Sequence, residues 1–348
     1  MTPKGRGADH NPVNRFETFH LEVDEDAWID DDPRPLKTTF LRDDSQSILS
    51  RNDAIDLSFD YGLNPYRGCE HGCAYCYART FHEYLGFSAG LDFESKILVK
   101  ANAAELLEKS LAKPTYQPGL ISLSGATDCY QPIEKKLAIT RSCLEVLARF
   151  RHPVIVITKN ALIQRDIDHL RELARHSAVV VYLSITTLDP ALARALEPLA
   201  SSPRARLETI RALADHGIPA GISAAPLIPG LNDSELPALL EAAAAHGASF
   251  AAYSMVRLPG NVADVFSSWL DRHQPMAKEK ILNRIRAMHD GALNRSDAVS
   301  RMRGTGVAAA QWKALFQTLC RKHQLHQGTP PMSFASFRKL LPGQDELF

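Results

Sequence analysis

Three cysteines lie within eight residues, spaced C-x3-C-x2-C, in the stretch Gly68-Cys69-Glu70-His71-Gly72-Cys73-Ala74-Tyr75-Cys76-Tyr77. Thiolates this close in sequence can converge on one metal ion or one cluster, and Gly68 and Gly72 free the backbone to wrap around it. Three donors leave one coordination position open, and an open position is where a metal centre does chemistry. The other cysteines, Cys129, Cys143 and Cys320, are scattered singly. That distribution is wrong for a disulfide framework and right for a thiolate metal site in a reducing compartment. A structural zinc wants four protein ligands; His71 or His82 could supply the fourth, but there is no second C-x2-C pair. An iron–sulfur cluster held by three cysteines leaves its fourth iron free for a substrate or cofactor.

Such a site needs a scaffold, and the chain is long enough to provide one. Its 348 residues, 45% hydrophobic and 23% charged, suit one large α/β domain or two ordinary ones with a full core. No apolar run approaches the roughly 18 residues of a membrane span. The first residues, among them Arg6, Asp9 and His10, hold no signal-peptide core. The expected location is therefore cytoplasmic, with no membrane partner. The formal net charge of zero hides a polarity: residues 1–60 hold 14 Asp/Glu against 7 Lys/Arg, and residues 272–340 hold 13 Lys/Arg against 3 Asp/Glu. The basic section is either a solvated helical face or a surface for polyanions such as nucleic acid.

Residues 1–54 are acidic and interrupted by prolines, as in Asp30-Asp31-Asp32-Pro33-Arg34-Pro35, and read as an irregular arm. A first strand within 55–66 delivers the cysteine loop. Beyond it, strands are expected at 120–124, 154–157, 179–183, 218–228 and 250–256, with helices over 134–149, 161–175, 203–217 and 234–247 between them. Asn160, and Ser202 before Pro203, are expected N-caps; Asn232-Asp233-Ser234 should cap the helix that stops at Gly247. Near-continuous Val/Ile/Leu runs, each followed by a helix, imply parallel strands covered on both faces. No G-x-G-x-x-G follows the first strand, so six strands over 55–258 suit an α/β fold of the partial (β/α)6 TIM-type barrel kind better than a dinucleotide-binding sheet. Residues 259–343 read as a basic, mainly helical extension broken at Gly304-Thr305-Gly306, and 344–348 as a separate tail.

C-x3-C-x2-C with Tyr75 just before the third cysteine resembles the radical S-adenosylmethionine (radical SAM) superfamily. The longer string, from Asn64-Pro65-Tyr66-Arg67-Gly68-Cys69 through Cys76-Tyr77-Ala78-Arg79, resembles the branch related to spore photoproduct lyase, described as DNA repair photolyase-like. The likeness runs from about Asp56 to Leu258. It implies a [4Fe–4S] cluster on Cys69, Cys73 and Cys76, whose free iron binds the amino and carboxyl groups of S-adenosylmethionine. It also implies one-electron reduction by a donor such as flavodoxin or ferredoxin. The cofactor would split to methionine and a 5′-deoxyadenosyl radical, which takes hydrogen from a substrate. The barrel would position and seal the cofactors that carry the chemistry.

The resemblance extends to the strand ends. Gly125, Ala126 and Thr127, in Ser124-Gly125-Ala126-Thr127-Asp128, fall at a small-residue turn contacting the amino acid end of the cofactor. Lys159 would neutralise its carboxylate and Ser184 would contact it. Pro226 and Leu227 would cradle adenine, with Tyr75 packing on the same base. Each has a plain alternative, such as a strand-end turn, an exposed lysine or a hydroxyl cluster; agreement among three strand ends favours one site. Tyr75 and Tyr77 match tyrosines linked to hydrogen return in the lyase. The lyase's hydrogen-donating cysteine falls on Gly125, so that donor is missing; Cys129, just beyond Asp128, is either the replacement or a small buried thiol. Glu197 and Arg206 share the branch pattern, and an ion pair of a helix is their plain reading.

The implied substrate is a nucleic acid lesion or modified base. Modification of tRNA or protein is the alternative, and a non-catalytic interaction module with a structural cluster or zinc is the third reading. The last residues, Gln344-Asp345-Glu346-Leu347-Phe348, resemble the short Q-x-x-L-F peptide by which bacterial replication and repair proteins dock into the sliding clamp, or they tuck back onto their own domain.

Overall fold

Six apolar runs form the parallel strands of one sheet: β1 (Tyr61–Leu63), β2 (Ile121–Leu123), β3 (Val154–Thr158), β4 (Val179–Ser184), β5 (Ala220–Leu227) and β6 (Phe250–Met255). They are hydrogen-bonded in chain order in a computed structural model that describes residues 3–17 and 36–340. The helices α1 (Ala103–Leu111), α2 (Ile139–Phe150), α3 (Ile167–Arg175), α4 (Pro203–Asp215) and α5 (Leu236–Ala245) make the crossovers. Sequential order with helical crossovers is that of a partial barrel, since a doubly wound sheet reverses its order. The sheet stays open: Leu49–Arg51 pairs antiparallel with β1 at one edge, and His326–Gln327 pairs parallel with β6 at the other.

Side-chain alternation along these strands makes two environments. Outward residues such as Val156, Val181 and Ile222 pack under the helices in the main core. Inward residues near the strand starts are large: Ile155, Val180, Tyr182 and Phe250 form a separate cluster that plugs one end of the barrel. Tyr182 and Phe250 meet edge to face at 4.7 Å. Gly221 suits its place because a Cβ there would lie 2.3 Å from the Phe250 ring. Further along, the inward positions shrink to Ser184, Ser223, Ala225 and Ser254, so the carboxyl end of the barrel is hollow.

Some expected boundaries move. Thr39–Arg42 pairs parallel with Lys96–Val99, which also pairs antiparallel with Tyr66–Arg67; the three make a small sheet beside the cysteine loop. The segment 36–54 therefore contributes strands to both sheets and is not an independent arm. Asn160 and Ser202 cap their helices, accepting from Leu162 N and Ala205 N. Asn232 does not: its Oδ1 accepts from Ile228 N at 2.6 Å and its Nδ2 donates to Thr186 O at 2.7 Å, bracing the loop after β5.

After β6 come α6 (Val262–His273), α7 (Lys278–Met288) and α8 (Gly306–Lys322), and the break expected at 304–306 extends over 289–305. The first two helices join the claw in one apolar cluster, in which Trp269, Ile281 and Ile285 pack with Ala74 and Tyr75. Part of the basic charge of this region is paired, Lys278 with Asp271, Arg295 with Asp297 and Arg301 with Asp56. The expected docking tail, 344–348, lies outside the described residues. Among those residues, no helix is long and apolar enough to cross a membrane.

Candidate active site

The cysteine loop leaves β1 through Tyr66–Arg67 and is pinned from several sides. Cys69 N donates to Phe93 O at 2.9 Å, Ala74 N to Leu196 O at 3.0 Å, and Thr127 Oγ1 to Gly68 O at 2.7 Å. Arg79 is wholly buried; its Nε and Nη2 donate to Cys73 O at 3.0 and 2.9 Å, and its Nη1 to Ala89 O and Gly90 O. Its charge meets Glu94, also wholly buried, whose carboxylate accepts from Gly7 N at 3.0 Å and Ala8 N at 2.8 Å. A buried pair persists when its remaining donors and acceptors are satisfied, as here. The N-terminal segment is thereby pressed onto the claw: a Cβ on Gly7 would sit 1.8 Å from Gly72 O. Gly68 (φ +78°) and Gly72 (φ +64°) take the left-handed conformations that a β-carbon penalises.

Cys69, Cys73 and Cys76 line one wall of a cavity of about 250 Å³ at the carboxyl ends of the strands. Lys159, from the end of β3, and Ser184, from the end of β4, line it too. Lys159 Nζ donates to Ser184 Oγ at 3.1 Å, and Ser184 Oγ donates to Ala225 O at 3.1 Å. The Tyr75 ring centroid lies 6.0 Å from Lys159 Nζ. Its hydroxyl donates to Glu197 and lies 3.1 Å from Thr186 Oγ1. Glu197 pairs with Arg206, whose Nη1 donates to Ser184 O at 2.8 Å.

Charge balance follows from this packing. Burial works to raise the Glu197 pKa, but Arg206 and Lys159 outweigh it and hold the carboxyl at about 2. Burial also opposes the charge of Lys159, and Glu197 and Cys73 overcome it, leaving the lysine above its ordinary value. Asp128 ties β2 to β3 by accepting from Thr158 Oγ1 at 2.7 Å and Lys159 N at 2.8 Å, and it stands 3.3 Å from His71 Nδ1. Burial would raise its pKa; His71 and these hydrogen bonds pull it well below the usual carboxylate range.

The donor set suits a metal centre. Burial pushes the Cys73 thiol well above its ordinary range and the Cys76 thiol up, and Lys159 offsets only part of each effect. In so dry a wall, a coordinated cation is what makes thiolates of them. Among the described residues, no three His, Cys, Asp or Glu side chains converge as the ligands of one ion do. Thiolates that each take a separate iron of a cluster need no such convergence.

A family model described as Radical SAM superfamily matches residues 63–243, just over half of the chain and including the claw. The chain belongs to the radical SAM superfamily. An uncharacterized protein of Mycobacterium tuberculosis is 36% identical over 225 residues, 64% of this chain and 66% of that protein, so the match spans just under two thirds of the relative. Spore photoproduct lyase complexed with dinucleoside spore photoproduct has a TM-score of 0.61 at 14% identity, over 83% of this chain and 81% of that one. A variant of that lyase with bound AdoMet and dinucleoside spore photoproduct also gives 0.61, at 15% identity, over 83% and 80%. At these identities the likeness shows a shared fold. Membership of the radical SAM superfamily implies a [4Fe–4S] cluster and S-adenosylmethionine, and the three thiols at one cavity fit the first of these.

Most of the expected residues of this radical SAM site meet at the cavity: the three cysteines, Tyr75, Tyr77, Gly125, Thr127, Lys159, Ser184 and Pro226. Three do not. Ala126 lies outside the lining, with its N–H donating to Asn64 Oδ1 at 3.0 Å. Leu227 is wholly buried in the main core, on the outward side of β5. Cys129 also sits in the main core under the helices, not at the cavity, and Ser124 Oγ accepts its N–H at 3.1 Å. Burial pushes its thiol far up, so it stays protonated, and it does not line the cavity where the motif reading put a replacement hydrogen donor.

Other residues take roles the motif reading did not give them. Thr127 lines the cavity, but its hydroxyl is engaged with Gly68 O, and Gln131 Nε2 donates to both groups; it positions the claw. Glu197 and Arg206 are an ion pair, but one between two helices, Pro190–Leu196 and α4, and it fixes the Tyr75 hydroxyl. Arg257 was missed: it follows β6 and its guanidinium lies 4.5 Å over the Tyr77 ring. Its position as the first charge past the last barrel strand was the available signal.

Proposed function

We propose that this protein cleaves S-adenosylmethionine reductively and uses the radical to take hydrogen from a nucleic acid carrying a lesion or modified base. The observation that carries the reading is the meeting, in one cavity at the strand ends, of three thiols with Lys159 and Ser184. Cys69, Cys73 and Cys76 would hold the cluster. When bound and reduced by a donor such as flavodoxin or ferredoxin, the cluster would supply the electron for cleaving S-adenosylmethionine to methionine and, after hydrogen is taken from the substrate, 5′-deoxyadenosine. Lys159, kept cationic by Glu197 and Cys73, binds the cofactor carboxylate. Tyr75, held by Glu197 and Thr186, offers its ring to adenine from a fixed position. The small lining of β5 leaves room for the base at Ala225 and Pro226. The fold shared with spore photoproduct lyase and Arg257, whose guanidinium lies 4.5 Å over the Tyr77 ring, support the substrate class.

Anaerobic reconstitution tests the enzyme. With iron, sulfide, dithionite and S-adenosylmethionine the protein should show the iron–sulfur absorption band and release 5′-deoxyadenosine, and Cys76→Ala should lose both. A purified chain that holds one zinc and takes up no iron would refute the reading.

A further inference from the structure

The helical stretch after the claw, Tyr77–Arg79 continued by Thr80–Glu83, is turned inside out. Its inner face carries Arg79, His82 and Glu83, all buried. Its outer face carries Tyr77, Phe81 and, one residue beyond, Tyr84, exposed by 36%, 47% and 69%. Phe81 and Tyr84, three residues apart on the α-helical turn, share one face, and Tyr77 precedes them on the 3-10 turn, so the exposed rings follow one another along the stretch as a row. The polar inside has a structural explanation: Arg79 holds the claw, and Glu83 pairs with Arg15 and accepts from Asn261 Nδ2 at 2.9 Å. The aromatic outside has none among the described residues. Phe16, 53% exposed, lengthens the row, its ring 4.7 Å from that of Tyr84. Single exposed aromatics are ordinary, but a row of them beginning at a cavity mouth marks a binding surface.

Charge indicates what binds. Tyr77 lines the cavity and donates its hydroxyl to Gly125 O at 2.6 Å, so the row starts where the chemistry is placed. Arg257 lies over that ring and, among the described residues, makes no hydrogen bond or ion pair. An unpaired guanidinium fork suits a phosphate, and aromatic rings accept any base by stacking. A radical formed inside the barrel also cannot reach a base held within a duplex; the nucleotide has to leave the stack.

We propose that Tyr77, Phe81 and Tyr84 form a stacking platform for the bases of single-stranded or locally unpaired nucleic acid, with Arg257 binding a phosphate where the strand enters the cavity. This rests on the radical SAM reading with a nucleic acid substrate, and the test separates the two. The cluster-loaded full chain is titrated with fluorescent oligothymidylate and with an abasic oligonucleotide of the same length, at several salt concentrations. Oligothymidylate should bind more tightly than the abasic strand. Phe81→Ala and Tyr84→Ala should each weaken it by about 5- to 150-fold while the abasic strand is little affected, and Phe81→Trp should keep the affinity. Arg257→Gln should lower the salt slope by about 0.7. Circular dichroism and iron content check that the variants are folded. Equal binding of the two strands, or alanine variants that bind like wild type, overturns the platform. If 5′-deoxyadenosine forms but no base-dependent binding is seen, the platform fails and the radical reading stands. Base-dependent binding without 5′-deoxyadenosine has the opposite meaning.

Discussion

Replacing Glu94 by glutamine keeps the shape of the side chain and removes its charge. The wild-type carboxylate, wholly buried, accepts from Arg79, Gly7 N and Ala8 N. The amide offers one acceptor oxygen to these donors, turns its own NH2 toward one of them, and leaves the buried guanidinium of Arg79 without a counter-charge. Breaking a buried pair by removing one partner costs about 3–5 kcal/mol, and a buried donor left unsatisfied costs about 1–3 kcal/mol. The two figures overlap because both count the same desolvated groups, so about 3–5 kcal/mol is the expected loss. That is a large share of a typical folding stability of about 5–15 kcal/mol. Urea unfolding followed by circular dichroism should show a lower midpoint with an unchanged slope. Limited proteolysis should cut within residues 3–17 faster, and because Arg79 holds Cys73 O, less iron should be retained after reconstitution. A loss below about 1 kcal/mol, the worth of an exposed pair, with cleavage and iron unchanged, would refute the claim that this pair clamps the N-terminal segment to the claw.

Lys159→Met keeps the length of the side chain and deletes the cation. S-adenosylmethionine affinity, measured by equilibrium dialysis on the iron-loaded protein, should fall about 10- to 150-fold, the worth of a charge-assisted hydrogen bond; unchanged affinity would mean the carboxylate binds elsewhere. Cys129→Ala should leave 5′-deoxyadenosine yield and product unchanged and cost about 1 kcal/mol of stability. A lost or altered product would return Cys129 to the role of hydrogen donor.

The claw was legible because its message is local. Cys69, Cys73 and Cys76 sit within one turn of chain, and their spacing alone states how many thiolates can meet. The strands β3 and β4 were legible because parallel strands covered on both faces need unbroken apolar runs, and Val179–Ser184 is buried throughout. The supports of the site were not legible, because they join positions with no periodic relation: Arg79 with Glu94 across 15 residues, Glu94 with Gly7 across 87, and Glu197 with Arg206 across a helix break. Cys129 lies away from the cavity, and Thr127 lines it with its hydroxyl turned to Gly68 O, for a related reason. Each sits near the right strand end, but the direction of a side chain there is set by which neighbour accepts its hydrogen bonds.

The sequence alone thus determined the claw of three cysteines and the parallel α/β barrel that carries it, because cysteine spacing and strand periodicity are properties of short stretches. Only the tertiary structure decided which residues share a cavity with the claw, which brace it, and that the helix after the claw turns its aromatic rings outward. Those outcomes depend on how strand ends, the N-terminal segment and the last helices pack against one another, and no short stretch contains that information.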